Sequence, residues 1–389
     1  MKKYIAHRNE KNGLIQTVEE HCKNTANLCK EYAIPELKDF GYVVGLLHDI
    51  GKYQESFGKR INGDKVKVEH STCGALAAKE NYSVSPMVLM MEYCIAGHHS
   101  GIPDGGFPND DADKPTLCGR LKRKFEDFSE YKKEISLPEL DGLNWMKYLF
   151  KDCDDKLENV IDKFAFLTRY IFSCLVDADS NDTAEFCKER ELPRKLKADF
   201  TACLRKVNAK LDSFTCKTEL QKKRAFLQKQ AFQNAGQEGE IYLLNMPTGS
   251  GKTLASTKIA LERAIQEEKK RIIYIIPYNS IIEQTADTLE NLFDKDIEIL
   301  RHQSTFSYED EENGSEDYRM AAKTATENWD APFIITTAVQ FFESVYANKR
   351  SKLRKMHNLS DSILIFDEAH LMPQDYLQPC LQAVAYITR

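Results

Sequence analysis

The chain has 389 residues and a mass of 44.6 kDa, more than one ordinary hydrophobic core accommodates, so at least two domains are expected. With 42% hydrophobic and 29% charged residues it reads as a soluble globular protein with no membrane partner: no apolar run reaches membrane-helix length, and no apolar core follows the N-terminal lysines. Eleven cysteines without a CxxC pair indicate reduced thiols of a cytoplasmic protein, and a net charge of −6 does not by itself advertise nucleic-acid binding.

Residues 1–187 read as mainly helical, with apolar positions at helical spacing in TVEEHCKNTANLCKEYA, LKDFGYVVGLLHDIG and LENVIDKFAFLTRYIFSCLVDAD. Strand-like alternation is hard to find there. GHHSGIPDGGFPNDDADKPTL, residues 97–117, is dense in Gly, Pro and Asp and predicts a long exposed loop. Residues 188–229 carry 13 Lys/Arg against 5 Asp/Glu, a local charge of +8, and read as a helical basic connector. Beyond residue 230 the rhythm changes. Short β-rich runs (IYLLNMP, RIIYIIP, IEILRH, PFIITTA, SILIFDE) alternate with helical stretches, which predicts βαβ units around a parallel sheet. The acidic segment 308–318 reads as a solvated insertion.

Six of the nine histidines lie within the first 99 residues. His48-Asp49 closes an apolar helix and is followed by Gly51, which can end it; His98-His99 opens the Gly/Pro loop; His21 and His70 sit on other predicted helices. Asp177 follows the apolar run YIFSCLV. Imidazoles mixed with carboxylates suit Mn, Fe, Co, Ni or Zn, and an adjacent His-Asp can supply a nitrogen and a bridging oxygen. Lys52, one turn beyond Asp49, is placed to meet a bound phosphate or simply to offset the helix dipole. His7 is assigned no role.

MPTGSGKT, residues 246–253, follows a predicted strand and opens a helix, the context a phosphate loop requires. Pro247, Thr248, Gly249, Ser250, Gly251, Lys252 and Thr253 would cradle ATP, with Lys252 on the β/γ phosphates and Thr253 on Mg. SILIFDEAH places Asp367 to hold Mg and Glu368 to orient or deprotonate water. IIPYNSIIEQT and ITTAVQFF put Pro277 and the Thr336-Thr337 pair at strand ends, where turns can contact a nucleic-acid backbone.

The order H…HD…H…HH…D resembles the HD phosphohydrolase superfamily. Read whole, from HDIGKYQESF, VEHSTCGA, GHHSG and LVDADSND through PTGSGKT, IIPYNSIIEQT and DEAH, the chain resembles the CRISPR-associated HD nuclease–helicase of type I systems. That resemblance implies a mainly α HD-phosphohydrolase domain (1–187), the basic connector (188–229) and an α/β RecA-like helicase domain with a parallel sheet (230–389). It implies two divalent transition-metal ions (Mn, Fe, Ni or Co), one held by His21, His48, Asp49 and Asp177, the other by His70, His98 and His99 with Asp49 bridging. His48, Asp49, Lys52 and Glu368 are the implied catalytic residues; Pro277, Gln284, Thr336, Thr337 and Gln340 match nucleic-acid motifs. The implied partners are single-stranded DNA and a multisubunit RNA-guided surveillance complex. Family members continue into a second RecA-like domain, whereas this chain ends 19 residues after His370, so a truncated or split member is expected. Two rival readings are an HD metallophosphohydrolase acting on a small nucleotide, with a regulatory nucleotide-binding domain, and an ATP-sensing binding module without chemistry of its own.

Overall fold

The computed structural model describes residues 3–9, 11–154, 156–187, 195–237, 239–247, 249–303, 316–372 and 374–388. The chain divides into two compact units: Met1–Leu192 with Ser344–His357, and Pro193–Glu343 with Asn358–Arg389.

The first unit opens with an antiparallel hairpin of β1 (Ile5–Arg8) and β2 (Ile15–Thr17). Strands of four and three residues are too short to declare an alternation, which is why the sequence reading saw only helix here. Thr17 then caps α1 (Val18–Tyr32) in a reciprocal box: Glu20 N donates to Thr17 Oγ1 at 3.2 Å, and Thr17 N donates to Glu20 Oε2 at 2.9 Å. This fixes the first turn, one residue before His21. α2 (Lys38–Leu47) and the short α3 (Glu55–Ile61) follow, then α4 (Ser71–Asn81) and α5 (Ser85–Gly97). Three short helices, α6 (Leu117–Arg120), α7 (Tyr131–Glu134) and α8 (Gly142–Phe150), lead to the 31-residue α9 (Leu157–Cys187). The expected loop between α5 and α6 is present. Val43, Val44, Leu47, Ile95, Ile171 and Leu175 are all fully buried, so α2, α5 and α9 build one core.

The second unit contains α10 (Phe200–Asp212), α11 (Glu219–Ala235), α12 (Lys252–Gln266), β3 (Arg271–Ile276), α13 (Asn279–Phe293), β4 (Ile299–His302), α14 (Glu316–Asn328) and β5 (Phe333–Thr337). After β5 come α15 (Ala338–Tyr346), whose last residues pass into the first unit, α16 (Arg350–Leu353) of the first unit, and then β6 (Ser362–Phe366) and α17 (Leu377–Thr388) of the second. Its sheet runs β4-β5-β3-β6 with every pair parallel. β3 and β5 are buried at every position, as the consecutive apolar residues within RIIYII and FIITT lead one to expect of strands covered on both faces.

Two expectations need correction. IYLLN, residues 241–245, forms no ladder: Ile241 is 70% and Leu243 89% exposed, and β6 is an edge of the sheet among the described residues. β-rich sequence becomes a strand only where a neighbour offers matching hydrogen bonds. The basic stretch is more than a connector: α10 places Cys203 and Val207, both fully buried, in the core of the second unit. Residues 188–194 and the acidic residues 308–315 lie outside the described residues; Tyr318, on α14, donates its hydroxyl to Ile299 O at 2.9 Å. No described helix is long and apolar enough to cross a membrane.

Candidate metal centre and nucleotide site

The imidazoles of His21, His48 and His98 in the first unit hold their Nδ1 atoms close against oxygen. His48 Nδ1 donates to Gly45 O and His98 Nδ1 to Ile95 O, each at 2.7 Å, while His21 Nδ1 lies 2.6 Å from Asp182 Oδ2. Each bond fixes a tautomer and leaves Nε2 turned inward, the arrangement by which proteins orient imidazole ligands. Asp182 is itself held by Asn24 Nδ2 and Gln16 Nε2 at 2.9 and 2.8 Å. The inward atoms converge on Asp49, which is 1% exposed: His21 and His48 Nε2 are 3.1 and 3.4 Å from its Oδ2, and His98 and His70 Nε2 are 3.3 and 3.4 Å from its Oδ1.

Two four-residue groups therefore share one carboxylate: His21, His48, Asp49 and Asp179 on one side, and Asp49, His70, His98 and His99 on the other, their ligand atoms within 4.8 Å of one another in each group. Asp49 Oδ1 and His98 Nε2 are buried without a hydrogen-bond partner, the condition a coordinating atom is left in when its partner is an ion. The residues present fit a pair of divalent cations.

Asp177 belongs to neither group, contrary to the sequence expectation. Its carboxylate accepts from Arg354 Nε and from Asn181 Nδ2 (3.1 Å) and lies 3.4 Å from His357 Nε2. Two residues along a helix is about 200° of rotation, so Asp177 and Asp179 leave α9 on opposite sides. Asp179 and Asp182, three apart, share the face toward His21. Gly51 also has a different role from helix termination: a Cβ there would lie 2.1 Å from His70 O, so glycine lets the backbone carrying His70 approach Asp49.

Burial pushes the carboxyl of Asp49 up, but Lys52 and the imidazoles of His48 and His21 pull harder and hold it well below the usual carboxylate range. Burial lowers His48, and lowers His70 to about 4 and His99 to about 2, with neighbouring imidazoles adding to the last two. These rings stay neutral at ordinary pH, as ligands must. Lys52, itself buried, has its Nζ 2.7 Å from Asp49 Oδ2 and 3.3 Å from His7 Nε2. His7, on β1, packs edge-on against His21 with ring centroids 4.6 Å apart; the hairpin that brings it there gave no sequence signal.

In the second unit, Gly249 and Gly251 adopt positive φ (+75° and +89°), and Gly251 caps α12 immediately before Lys252. A side chain at Gly251 would also meet Gln228 Nε2, which donates to Ser250 O at 3.0 Å and so ties α11 to the loop. Thr248 lies outside the described residues. Lys252 Nζ donates to Glu368 Oε1 at 2.6 Å, and this bond holds the Glu368 carboxyl below its ordinary value. Glu368 has φ +49°, an uncommon conformation for a non-glycine residue, and directly follows Asp367, whose Oδ2 accepts from Tyr274 Oη at 3.3 Å. Lys252, Asp367 and Glu368 thus meet at the C-terminal ends of parallel strands, where ligands bind in open α/β sheets.

A family model described as HD domain matches residues 18–140, and one described as DEAD/DEAH box helicase matches residues 226–388. The CRISPR-associated nuclease/helicase Cas3 of Haloferax volcanii is 31% identical over 165 residues, 38% of this chain and 18% of that protein. The chain therefore carries an HD domain followed by a DEAD/DEAH box helicase domain, and part of it is similar to Cas3. Crystal structures of T. fusca Cas3 with AMPPNP and with ATP match 99% of this chain and 48% of theirs, at TM-scores of 0.62 and 0.61 and 14% and 13% identity, and show the same fold. The chain thus spans about half of those solved relatives.

Within the helicase domain, the residues expected to meet nucleic acid divide. Gln284 is exposed on α13, and Pro277 and Gln340 are half-buried just past the ends of β3 and β5. Thr336 is fully buried and donates its hydroxyl to His302 O at 3.1 Å, while Thr337 Oγ1 accepts from Gln340 N at 3.2 Å. The hydroxyls of both threonines are engaged within the fold. In the HD domain the contributions that sequence reasoning missed are Asp179, Asp182 and His7.

Proposed function

We propose that the HD domain is a metal-dependent nuclease acting on single-stranded DNA and that the helicase domain binds ATP with Mg. The observation that carries the first part is the pair of imidazole-rich groups sharing Asp49, with the His21, His48 and His98 tautomers fixed so that Nε2 faces inward. His21, His48, Asp49 and Asp179 would hold one ion, and His70, His98 and His99 the other with Asp49 bridging; the imidazole share favours Mn, Fe, Co or Ni over Ca. Bound there, the ion pair supplies Lewis acidity toward water and toward the phosphodiester. Lys52 brings a cation to the same spot and can hold a phosphate oxygen as charge develops on it.

In the second domain, the backbone N–H groups that open α12 and Lys252 would receive the phosphates, with Asp367 and Thr253 on Mg. The Lys252–Glu368 bond must open for this, releasing Glu368 to orient water. Pro277, Gln284 and Gln340 would track a strand along the strand ends, and the basic residues of α11 would add phosphate contacts that weaken with salt. The likeness to Cas3 supports a role in type I CRISPR interference, with a multisubunit RNA-guided complex as partner. The deciding test is digestion of labelled single-stranded and blunt duplex DNA with Mn²⁺, with and without ATP. Single-strand cleavage that needs Mn²⁺ but not ATP is expected. Hydrolysis confined to mononucleotides would favour the small-nucleotide reading instead.

A further inference from the structure

Ser344–His357 groups with the first unit although the sequence on both sides of it builds the second. Its contacts include two of the segments that carry metal-site residues, the loop after α5 and α9. Asn348 O accepts from Ile102 N at 2.9 Å, three residues beyond His99, and Gly101 (φ +101°) packs so closely on the same carbonyl that a Cβ would lie 2.4 Å from it. On α9, Arg354 Nη2 donates to Asn181 Oδ1 at 2.9 Å while its Nε serves Asp177, and His357 N donates to Ser173 Oγ at 3.0 Å. Between these anchors, Arg350 Nη2 donates to Asp179 Oδ2 at 3.0 Å and to Ser180 Oγ at 2.7 Å. The other oxygen, Asp179 Oδ1, lies 3.5 Å from His21 Nε2 and 3.9 Å from His48 Nε2.

We propose that Arg350 is a positioning residue for the metal position formed by His21, His48, Asp49 and Asp179. By engaging Oδ2 it fixes the carboxylate plane so that Oδ1 faces the imidazoles, the part that outer partners of ligating carboxylates play. An isolated surface ion pair would hold little, but Asp179 is buried, and the anchors at Asn348, Arg354 and His357 fix the chain on either side of Arg350. The consequence is that the nuclease centre is finished by a segment encoded between two strands of the ATP-binding sheet. Residues 1–187 therefore do not contain everything the centre needs.

This rests on the metal reading proposed above. The test is Mn²⁺ binding to the full chain followed by electron paramagnetic resonance, comparing wild type with Arg350→Ala, Arg350→Gln and Arg350→Lys. Wild type should bind two ions. Arg350→Ala and Arg350→Gln should weaken one of them by about 10–100-fold and leave the other near its wild-type affinity, and Arg350→Lys should recover part of the loss. Two ions at wild-type affinity in both neutral variants would overturn the proposal alone. Equal weakening of both positions, with or without loss of fold, would assign Arg350 to the fold and overturn it too. A wild-type chain that binds no manganese would overturn the metal reading and this proposal with it.

Discussion

The Nε2 atoms of His21 and His48 face each other at 3.2 Å, each ring having already committed its Nδ1 to an oxygen. Two ring nitrogens so oriented repel unless a proton or a cation lies between them. Asp49 and Asp179 beside them draw positive charge to that spot, and an ion shared with these carboxylates would satisfy both nitrogens.

Asp49 is shared by both groups, so Asp49→Ala should remove both ions, and single-stranded cleavage should fall to background. Metal analysis of the purified variant alongside a digestion assay checks this. Wild-type cleavage by Asp49→Ala would refute the assignment.

The structure separates two carboxylates that look alike in LVDADSND. Asp179→Asn should reduce metal occupancy, whereas Asp177→Asn should keep both ions and lose stability instead. Arg354→Ala removes the guanidinium that Asp177 accepts from in its buried site, and removing one partner of a buried ion pair costs about 3–5 kcal/mol. Urea unfolding of the three variants, read beside their metal content, distinguishes the roles.

Much of this centre was legible in the sequence because its signals are local. His48-Asp49, His98-His99 and the glycine after the first pair are each local, and the helix that bears His21 has a clear start; His70, expected on a helix, instead immediately precedes α4. Asp179 was not legible. Along α9, Ile171, Phe172, Cys174, Leu175, Val176 and Ala178 are all fully buried, so hydropathy marks no face and cannot rank Asp177 against Asp179. The choice is made by partners distant in sequence, with Arg354 and His357 at Asp177 and with His21 and Arg350 at Asp179. Likewise IYLLN carries strand propensity, but a ladder depends on a neighbour that propensity does not encode.

Gly51 tests close approach directly. A methyl group there would sit 2.1 Å from His70 O, a distance no backbone tolerates, so Gly51→Ala should displace His70 from Asp49. The expected outcome is a lower melting temperature and weaker binding of the ion assigned to His70, His98 and His99. A variant with unchanged melting and metal content would show that the His70 backbone is free to move.

The nucleotide and metal sites draw on different residues, and their defects should separate. Lys252→Ala removes the charge that meets Glu368 now and would meet phosphate later, so ATP binding should weaken at least tenfold. Single-stranded cleavage with Mn²⁺ should be unaffected. Calorimetric ATP titration and the digestion assay, run on the same preparation, check both halves.

The most direct measurement is anomalous scattering from crystals of the chain grown with Mn²⁺. Two manganese peaks should flank the Asp49 carboxylate, one coordinated by His21, His48 and Asp179, the other by His70, His98 and His99. Saturating manganese with no peak at Asp49, or with Asp177 rather than Asp179 in the coordination sphere, would contradict the account.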